Sequence, residues 1–115
     1  MDNGITINLN NYRAINNGKV SRVFIGRDIG KYVRVSSQID RMESLYDVIK
    51  IIIPKDVYSI TPSFLEEFLV NIIRKLGMKR FFEKVKFISE SGYQYESSLF
   101  ETAERILSGK SQFIL

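Results

Sequence analysis

Three hydroxyls and two carboxylates crowd into the stretch SITPSFLEEF at 59–68: Ser59, Thr61, Ser63, Glu66 and Glu67. Thr61 fits a helix N-cap, because the residue before a proline is pushed toward extended geometry and Pro62 then takes the first helical position, where its missing N–H costs nothing. Ile60 and Leu65 would close a hydrophobic staple around that cap. In the alternative register Ser63 is the cap and Glu66 completes an S-x-x-E capping box. Either way one hydroxyl stays at the positive end of a helix. An added phosphate would be tolerated there apart from repulsion by Glu66 and Glu67. A well-capped helix start accounts for the same residues with no function attached.

Other side chains offer less chemistry. The chain has neither His nor Cys, so disulfides, thiolate nucleophiles, Cys-ligated metals and the usual neutral-pH general base are all missing. Glu66 and Glu67, joined by Asp28 or Asp56, could be imagined around a hard cation; dipole-compensating surface charge is the preferred account. Arg74, Lys75, Lys79, Arg80, Lys84 and Lys86 form a basic cluster opposed only by Glu83. That cluster is either a nucleic-acid patch or a solvated surface that also satisfies a helix C-terminus, and no nucleic-acid-binding motif accompanies it. Phe81 and Phe82 beside it read as core anchors of a loop. Gly26, Arg27 and Gly30 carry a G-x-x-x-G spacing that would let a helix sit close on a sheet. Of six scattered tyrosines, Tyr58 stands just before the hydroxyl cluster and suits an interface.

The elements that must position these residues follow from periodicity. Ile5, Ile7 and Leu9 alternate with polar residues as a half-buried strand does; Asn16, Asn17 and Gly18 supply a turn, and a strand over about 20–25 would return to complete a hairpin. Ile29, Tyr32, Val33 and Ile39 recur at helical spacing in a first helix ending near Met42. The β-branched run IKIIIP at 49–54 reads as a central strand covered on both faces. Phe64, Leu65, Phe68, Leu69, Ile72, Ile73 and Leu76 mark a long helix closed by Gly77. Val85, Phe87 and Ile88 suggest another strand, and Leu99, Phe100, Ala103, Ile106 and Leu107 a last helix ending at Gly109. The tail SQFIL would add an edge strand or simply pack. SESGYQYESS at 89–98 reads as a loop after a strand's carboxyl end, bordering the surface of Ser63. The fold class expected is α/β: a small mixed-sheet sandwich with an N-terminal hairpin and three helices.

GRDIGKYVR on the first helix, IKIIIP, SITPSFLEEFLVNIIRKLG and KVKFIS together resemble the bacterial STAS-like domains of unknown function, over roughly residues 5–108. Those domains are distantly similar to the anti-sigma factor antagonists. The resemblance implies a small α/β regulatory domain that binds a GHKL-type ATP-binding protein kinase and is released when a serine at the start of the second helix is phosphorylated. By that resemblance Ser63 aligns with the phosphoacceptor and Thr61 is its neighbour. Thr61, Pro62, Ser63 and Phe64 replace the acidic residue and paired serines of the antagonists.

The 115 residues fit one domain with a real core. A net charge of +4 permits acidic partners without requiring them. MDNGITINLNN has no basic segment leading into an apolar core, and no stretch approaches the roughly 20 apolar residues that span a bilayer. A soluble, cytoplasmic protein with no membrane association is expected. The chain is therefore read as a non-enzymatic interaction domain using no cofactor and no metal. It would dock a partner through the loop at 56–63 and the exposed face of the following helix, with Tyr58, Ser59, Thr61, Ser63, Glu66 and Glu67 in contact. The alternative is a nucleic-acid-binding accessory domain using the 74–86 cluster. An enzyme would have to rely on Asp, Glu, Lys, Tyr or Ser alone.

Overall fold

The computed structural model describes residues 3–109; the tail expected as an edge strand lies outside the described residues. Strand β1 (Gly4–Asn8) forms as its alternation predicts. Asn8 then ends it: its side chain accepts the Asn10 N–H at 2.9 Å and caps a 3-10 turn over Leu9–Tyr12. The chain therefore does not return beside β1, and the hairpin expected from 5–10 and 20–25 is not made. A smaller one joins β2 (Ile15–Asn16) to β3 (Lys19–Val20). Its turn residues Asn17 (φ 52°) and Gly18 (φ 77°) both take the left-handed geometry that a two-residue turn needs. β4 (Val23–Phe24) follows.

The first helix divides in two. α1 (Arg27–Ser37) stops where Gln38 turns left-handed at φ 54°, and α2 (Ile39–Leu45) restarts from it. After β5 (Val48–Ile53) and β6 (Ser59–Ile60) comes α3 (Pro62–Lys84). Gly77 does not close α3; at φ 79°, ψ 173° it kinks the chain, and helical structure continues to Lys84. Phe81 and Phe82 accordingly sit on a helix and not in a loop, Phe81 fully buried. β7 (Val85–Ser89) and α4 (Glu96–Ser108) complete the order, with Gly109 in the left-handed C-cap.

The main sheet has the order β1-β5-β7 and is wholly parallel, so the mixed sheet expected is instead a parallel sheet with two separate two-stranded ladders, β2-β3 antiparallel and β4-β6 parallel. Register pairs Ile7 with Ile51 and Ile51 with Phe87. Ile49, Ile51 and Ile53 are buried with Ile7, Val85 and Phe87, whereas Thr6, Lys50, Lys86 and Ile88 between them are exposed. One face is packed and the other is bare among the described residues, contrary to the two-sided cover expected of IKIIIP. Among the described residues the fold is a compact α/β arrangement with four α-helices, one more than expected, the split of the first helix supplying the fourth.

α3 is the centre of the core. Phe64, Leu65, Phe68, Leu69, Val70, Ile72, Ile73 and Leu76 are all buried, and α1 and α4 flank the helix. α1 turns Gly30, Val33 and Ser37 inward and leaves Tyr32, expected on the apolar face, exposed. Gly30 permits the closest approach. A Cβ built there would lie 2.6 Å from the Phe64 carbonyl oxygen and 2.9 Å from Glu67 Cβ, so the close contact is with α3 and not with the sheet. Gly30→Ala must push α1 away from backbone that cannot yield; a loss of roughly 1–3 kcal/mol in denaturant unfolding is expected, with Gly92→Ala, which meets nothing within 4 Å, as a strain-only control.

α2 is tied to α3 by charge. Glu43 is only 3% exposed, and its carboxylate accepts from Lys75 Nζ at 2.6 Å and Lys84 Nζ at 2.8 Å, while Lys84 also donates to the Glu43 carbonyl at 2.6 Å. Burial pushes the Glu43 carboxyl upward, but the two lysines outweigh it and hold it below its ordinary value. A depressed carboxylate stabilises the fold above its unfolded value and loses that contribution as the pH drops. Wild-type stability should therefore fall more steeply than that of Glu43→Gln below pH 4.5, and at neutral pH the variant should cost about 3 kcal/mol because two lysines lose their counter-charge. Urea titrations of both proteins across that range measure the difference.

Candidate functional site at the carboxyl edge of the sheet

β5 exits through buried Pro54 into a turn closed by the Val57 N–H on the Pro54 carbonyl at 3.1 Å. Val57 is buried as the anchor, which leaves Lys55, Asp56 and Tyr58 pointing outward. Arg13, 43 residues away in sequence, clamps Asp56 with both terminal nitrogens, one at 2.9 Å. It also donates to the Ser21 carbonyl at 3.1 Å. The hairpin base and the 54–58 turn are thus one unit. The Arg13 hydrogen bonds hold the Asp56 carboxyl below its usual range, helped by the charge of Arg22.

Tyr58 is 65% exposed yet not loose: its N–H donates to the Arg22 carbonyl at 3.1 Å and the Arg22 guanidinium stands 5.8 Å from its ring centroid. β6 then pairs with β4, and the Thr61 N–H donates to the Phe24 carbonyl at 3.0 Å. Thr61 is the N-cap. Its Oγ1 accepts from Phe64 N–H at 3.3 Å and from Gly26 N–H at 3.0 Å, which joins the start of α1 to the start of α3. With two donors on that oxygen, the Thr61 hydroxyl hydrogen is directed to Ser63 Oγ at 3.1 Å, and the Ser63 proton is free to donate outward. Ser63 is half-buried and remains reachable. It is not the cap, and Glu66 forms no capping box.

From the loop at 90–95, shorter at both ends than the 89–98 expected, Tyr93 donates its hydroxyl to the Ile60 carbonyl at 3.0 Å. Arg22, Asp56, Tyr58, Ser91 and Tyr93 line a shallow polar cleft of about 300 Å³. This edge, outside the carboxyl ends of parallel strands, is where α/β sheets bind ligands. No family model, curated protein or solved structure matches the chain. The site is consequently read from its own chemistry: an aromatic ring, a cation and hydroxyl donors held by a rigid turn. Among the described residues no three His, Cys, Asp or Glu side chains gather as metal ligands, and no helix is long and apolar enough to cross a membrane.

Of the residues expected to dock a partner, Tyr58 lines this cleft, Ser59, Thr61 and Ser63 follow it along β6 and the start of α3, and Glu66 and Glu67 are held in ion pairs. Glu66, taken as surface charge, is 2% exposed and pairs with Arg27 at 2.9 Å, with Arg105 Nε 3.9 Å from its other oxygen. Glu67 takes Arg34 at 3.2 Å, and Arg34 also reaches the Glu67 carbonyl at 2.6 Å. α3 is apolar on nearly every side, so a carboxylate on its first turns has no solvent to face. For the same reason α3 offers no exposed docking face beside the loop. The basic cluster is likewise divided. Lys75 and Lys84 hold Glu43, Lys86 caps the Phe82 carbonyl at 2.8 Å, and Arg74, Lys79 and Arg80 remain exposed.

Arg13 and Arg22 escaped sequence reasoning because nothing local to either marks a partner 43 or 34 residues on. Their role makes a prediction. Asp56→Asn removes the clamp on the hairpin base, so the backbone amides of residues 14–21 should exchange with solvent faster, while amides of β5 keep wild-type protection. Because the Asp56 carboxyl is depressed, the wild-type arm should show the same loosening as the pH falls through and below 3.8, its ordinary value, and not at neutral pH.

Proposed function

We propose that the chain is a non-enzymatic regulatory domain that docks a partner protein through this carboxyl edge, using Tyr58, Ser59, Thr61 and Ser63 with Arg22 and Tyr93 beside them. The observation that carries it is Tyr58, a large amphipathic side chain that packs into no core yet is fixed by Arg22 and by its backbone bond to the hairpin. A rigid exposed aromatic beside free donors is what an interface hot spot requires, since little side-chain entropy is left to lose on binding.

The resemblance to STAS-like domains supports a GHKL-type ATP-binding kinase as the partner and Ser63 as the group it modifies. Phosphate would add roughly −2 charge at the start of α3. Glu66 and Glu67 are already neutralised by arginines, so release would come from desolvation of the phosphate at a packed interface and not from repulsion by those carboxylates. Binding to a purified kinase of that class, followed by calorimetry, should be lost in Tyr58→Ala and Ser63→Glu while Arg74→Glu leaves it unchanged. Intact-mass measurement after incubation with kinase and ATP should show one phosphoryl group, absent in Ser63→Ala. Unmodified mass together with undiminished binding by Ser63→Glu defeats the switch; undiminished binding by Tyr58→Ala defeats the docking surface.

A further inference from the structure

The cleft at the carboxyl edge holds more donors than acceptors. Asp56 is the one acid in its lining, and Arg13, itself only 8% exposed, takes both carboxylate oxygens with its two terminal nitrogens, so that pair is closed. Arg22 leans on the same turn through Nε alone, which donates to the Asp56 carbonyl at 3.3 Å and stands 3.9 Å from the carboxylate. The terminal nitrogens of Arg22 make no hydrogen bond among the described residues, and the side chain is 62% exposed. Lys55, on the same rim, has no hydrogen bond or ion pair among those residues. Ser91 Oγ accepts the Tyr93 N–H at 3.1 Å, and its hydrogen is left to donate to Ser89 Oγ at 3.4 Å or into the cleft. Glu90, the acid of the adjoining loop, is exposed, forms no ion pair among the described residues and lies outside the lining. With Asp56 already matched by Arg13, Arg22 and Lys55 are uncompensated positive charges that only the fold brings together.

Such a rim takes an anion. A loose ion gains little from cations this exposed, because water and salt screen the attraction. The anion must therefore arrive on something with further contacts to make, and the fixed ring of Tyr58 is the contact at hand. A nucleic acid calls for a run of cations along its backbone and an open ring face for a base. Here the rim has two such cations, and the Arg22 guanidinium already stands 5.8 Å from the Tyr58 ring centroid. A carboxylate suits the donors better: the free end of Arg22 is a fork for its two oxygens, and Lys55 adds a point charge. We propose that the cleft receives the carboxylate of an aspartate or glutamate on an acidic segment of the partner protein, gripped by Arg22 and Lys55 beside Tyr58. This rests on the docking surface proposed above and supplies the chemistry of what docks there.

Heteronuclear NMR titration of the full chain distinguishes the anion's source, with four probes: a blocked peptide alternating Glu with Leu, its Gln counterpart, inorganic phosphate and an oligothymidylate. The Glu peptide should move the Lys55, Tyr58 and Gly92 amides and bind roughly fivefold or more tightly than the Gln peptide, a preference that shrinks as salt is added. Lys55→Glu breaks no internal contact; it should weaken the Glu peptide by roughly tenfold and erase its preference over the Gln peptide. Arg22→Gln should weaken it by roughly three- to fivefold, with the amides of β5 keeping wild-type protection from exchange. Equal binding of the two peptides, phosphate binding as tightly as the Glu peptide, tighter binding of the oligothymidylate at the same amides, or indifference to Lys55→Glu overturns the proposal. Binding of the purified kinase separates this from the reading beneath it. Kinase binding lost in Tyr58→Ala but unchanged in Lys55→Glu keeps the docking surface and defeats the carboxylate. Kinase binding indifferent to Tyr58→Ala defeats the surface and the carboxylate with it.

Discussion

The whole molecule depends on how closely α1 can approach α3. Gly30 leaves the notch that a side chain would fill, and through it the backbone of α1 reaches the Phe64 carbonyl. The start of α3 at the carboxyl edge follows from that contact. It lets the Gly26 N–H find Thr61 Oγ1, sets Arg27 on Glu66 and Arg34 on Glu67, and so fixes where α3 begins and which way Ser63 points. A methyl group at one position would therefore act on the site from one helical turn away.

Paired charge is a second constraint, and much of it lies inside the fold. Burying a carboxylate is costly unless it is paired and hydrogen-bonded. Glu43, Asp56, Glu66 and Glu67 each take two cations: Lys75 and Lys84; Arg13 and Arg22; Arg27 and Arg105; Arg34 and Arg27. Each set joins elements distant in sequence. The ion pairs thus act as registration devices, α2 to α3, the hairpin to the 54–58 turn, and α1 and α4 to α3. Several cations of the composition serve as bracing, and in the basic cluster Lys75 and Lys84 are drawn to Glu43 while Arg74, Lys79 and Arg80 stay exposed.

Much of the local structure was legible. The proline narrowed the cap to Thr61 or Ser63, of which the structure takes Thr61; the turn at Asn17 and Gly18 followed from their tolerance of positive φ, and β5 from its β-branched run. What was hidden is non-local. Nothing near Ile5–Leu9 says that its partner is Val48–Ile53, 40-odd residues on, and not the nearer 20–25; the local hydrogen bond of Asn8 to Asn10 decided it. Gly77 carried the sign of a helix stop, yet the apolar residues Met78, Phe81 and Phe82 beyond it keep the helical spacing and pull the chain on across a kink. Glu66 was misplaced although a sign was present. Its neighbours Leu65, Phe68, Leu69 and Val70 cover most directions around the helix, and a helix apolar on all sides is buried, charges included.

That burial also decides where a partner can touch. A domain whose central helix is walled by two others and a sheet has only its ends, its sheet edges and its bare sheet face to offer. The amino-terminal end of α3 coincides with the carboxyl ends of β5 and β7, and there the loops carry Tyr58, Arg22 and Tyr93. These side chains were free to serve recognition because the core is completed without them: Val57 anchors the turn and Ile60 enters the interior. The alternation of buried Val57 with exposed Tyr58 is therefore the physical link between packing and function, one residue holding the loop so that the next can be presented without freedom to lose. A looser turn would expose the same ring, but binding would then have to freeze it, at roughly 0.5–1.5 kcal/mol for such a side chain.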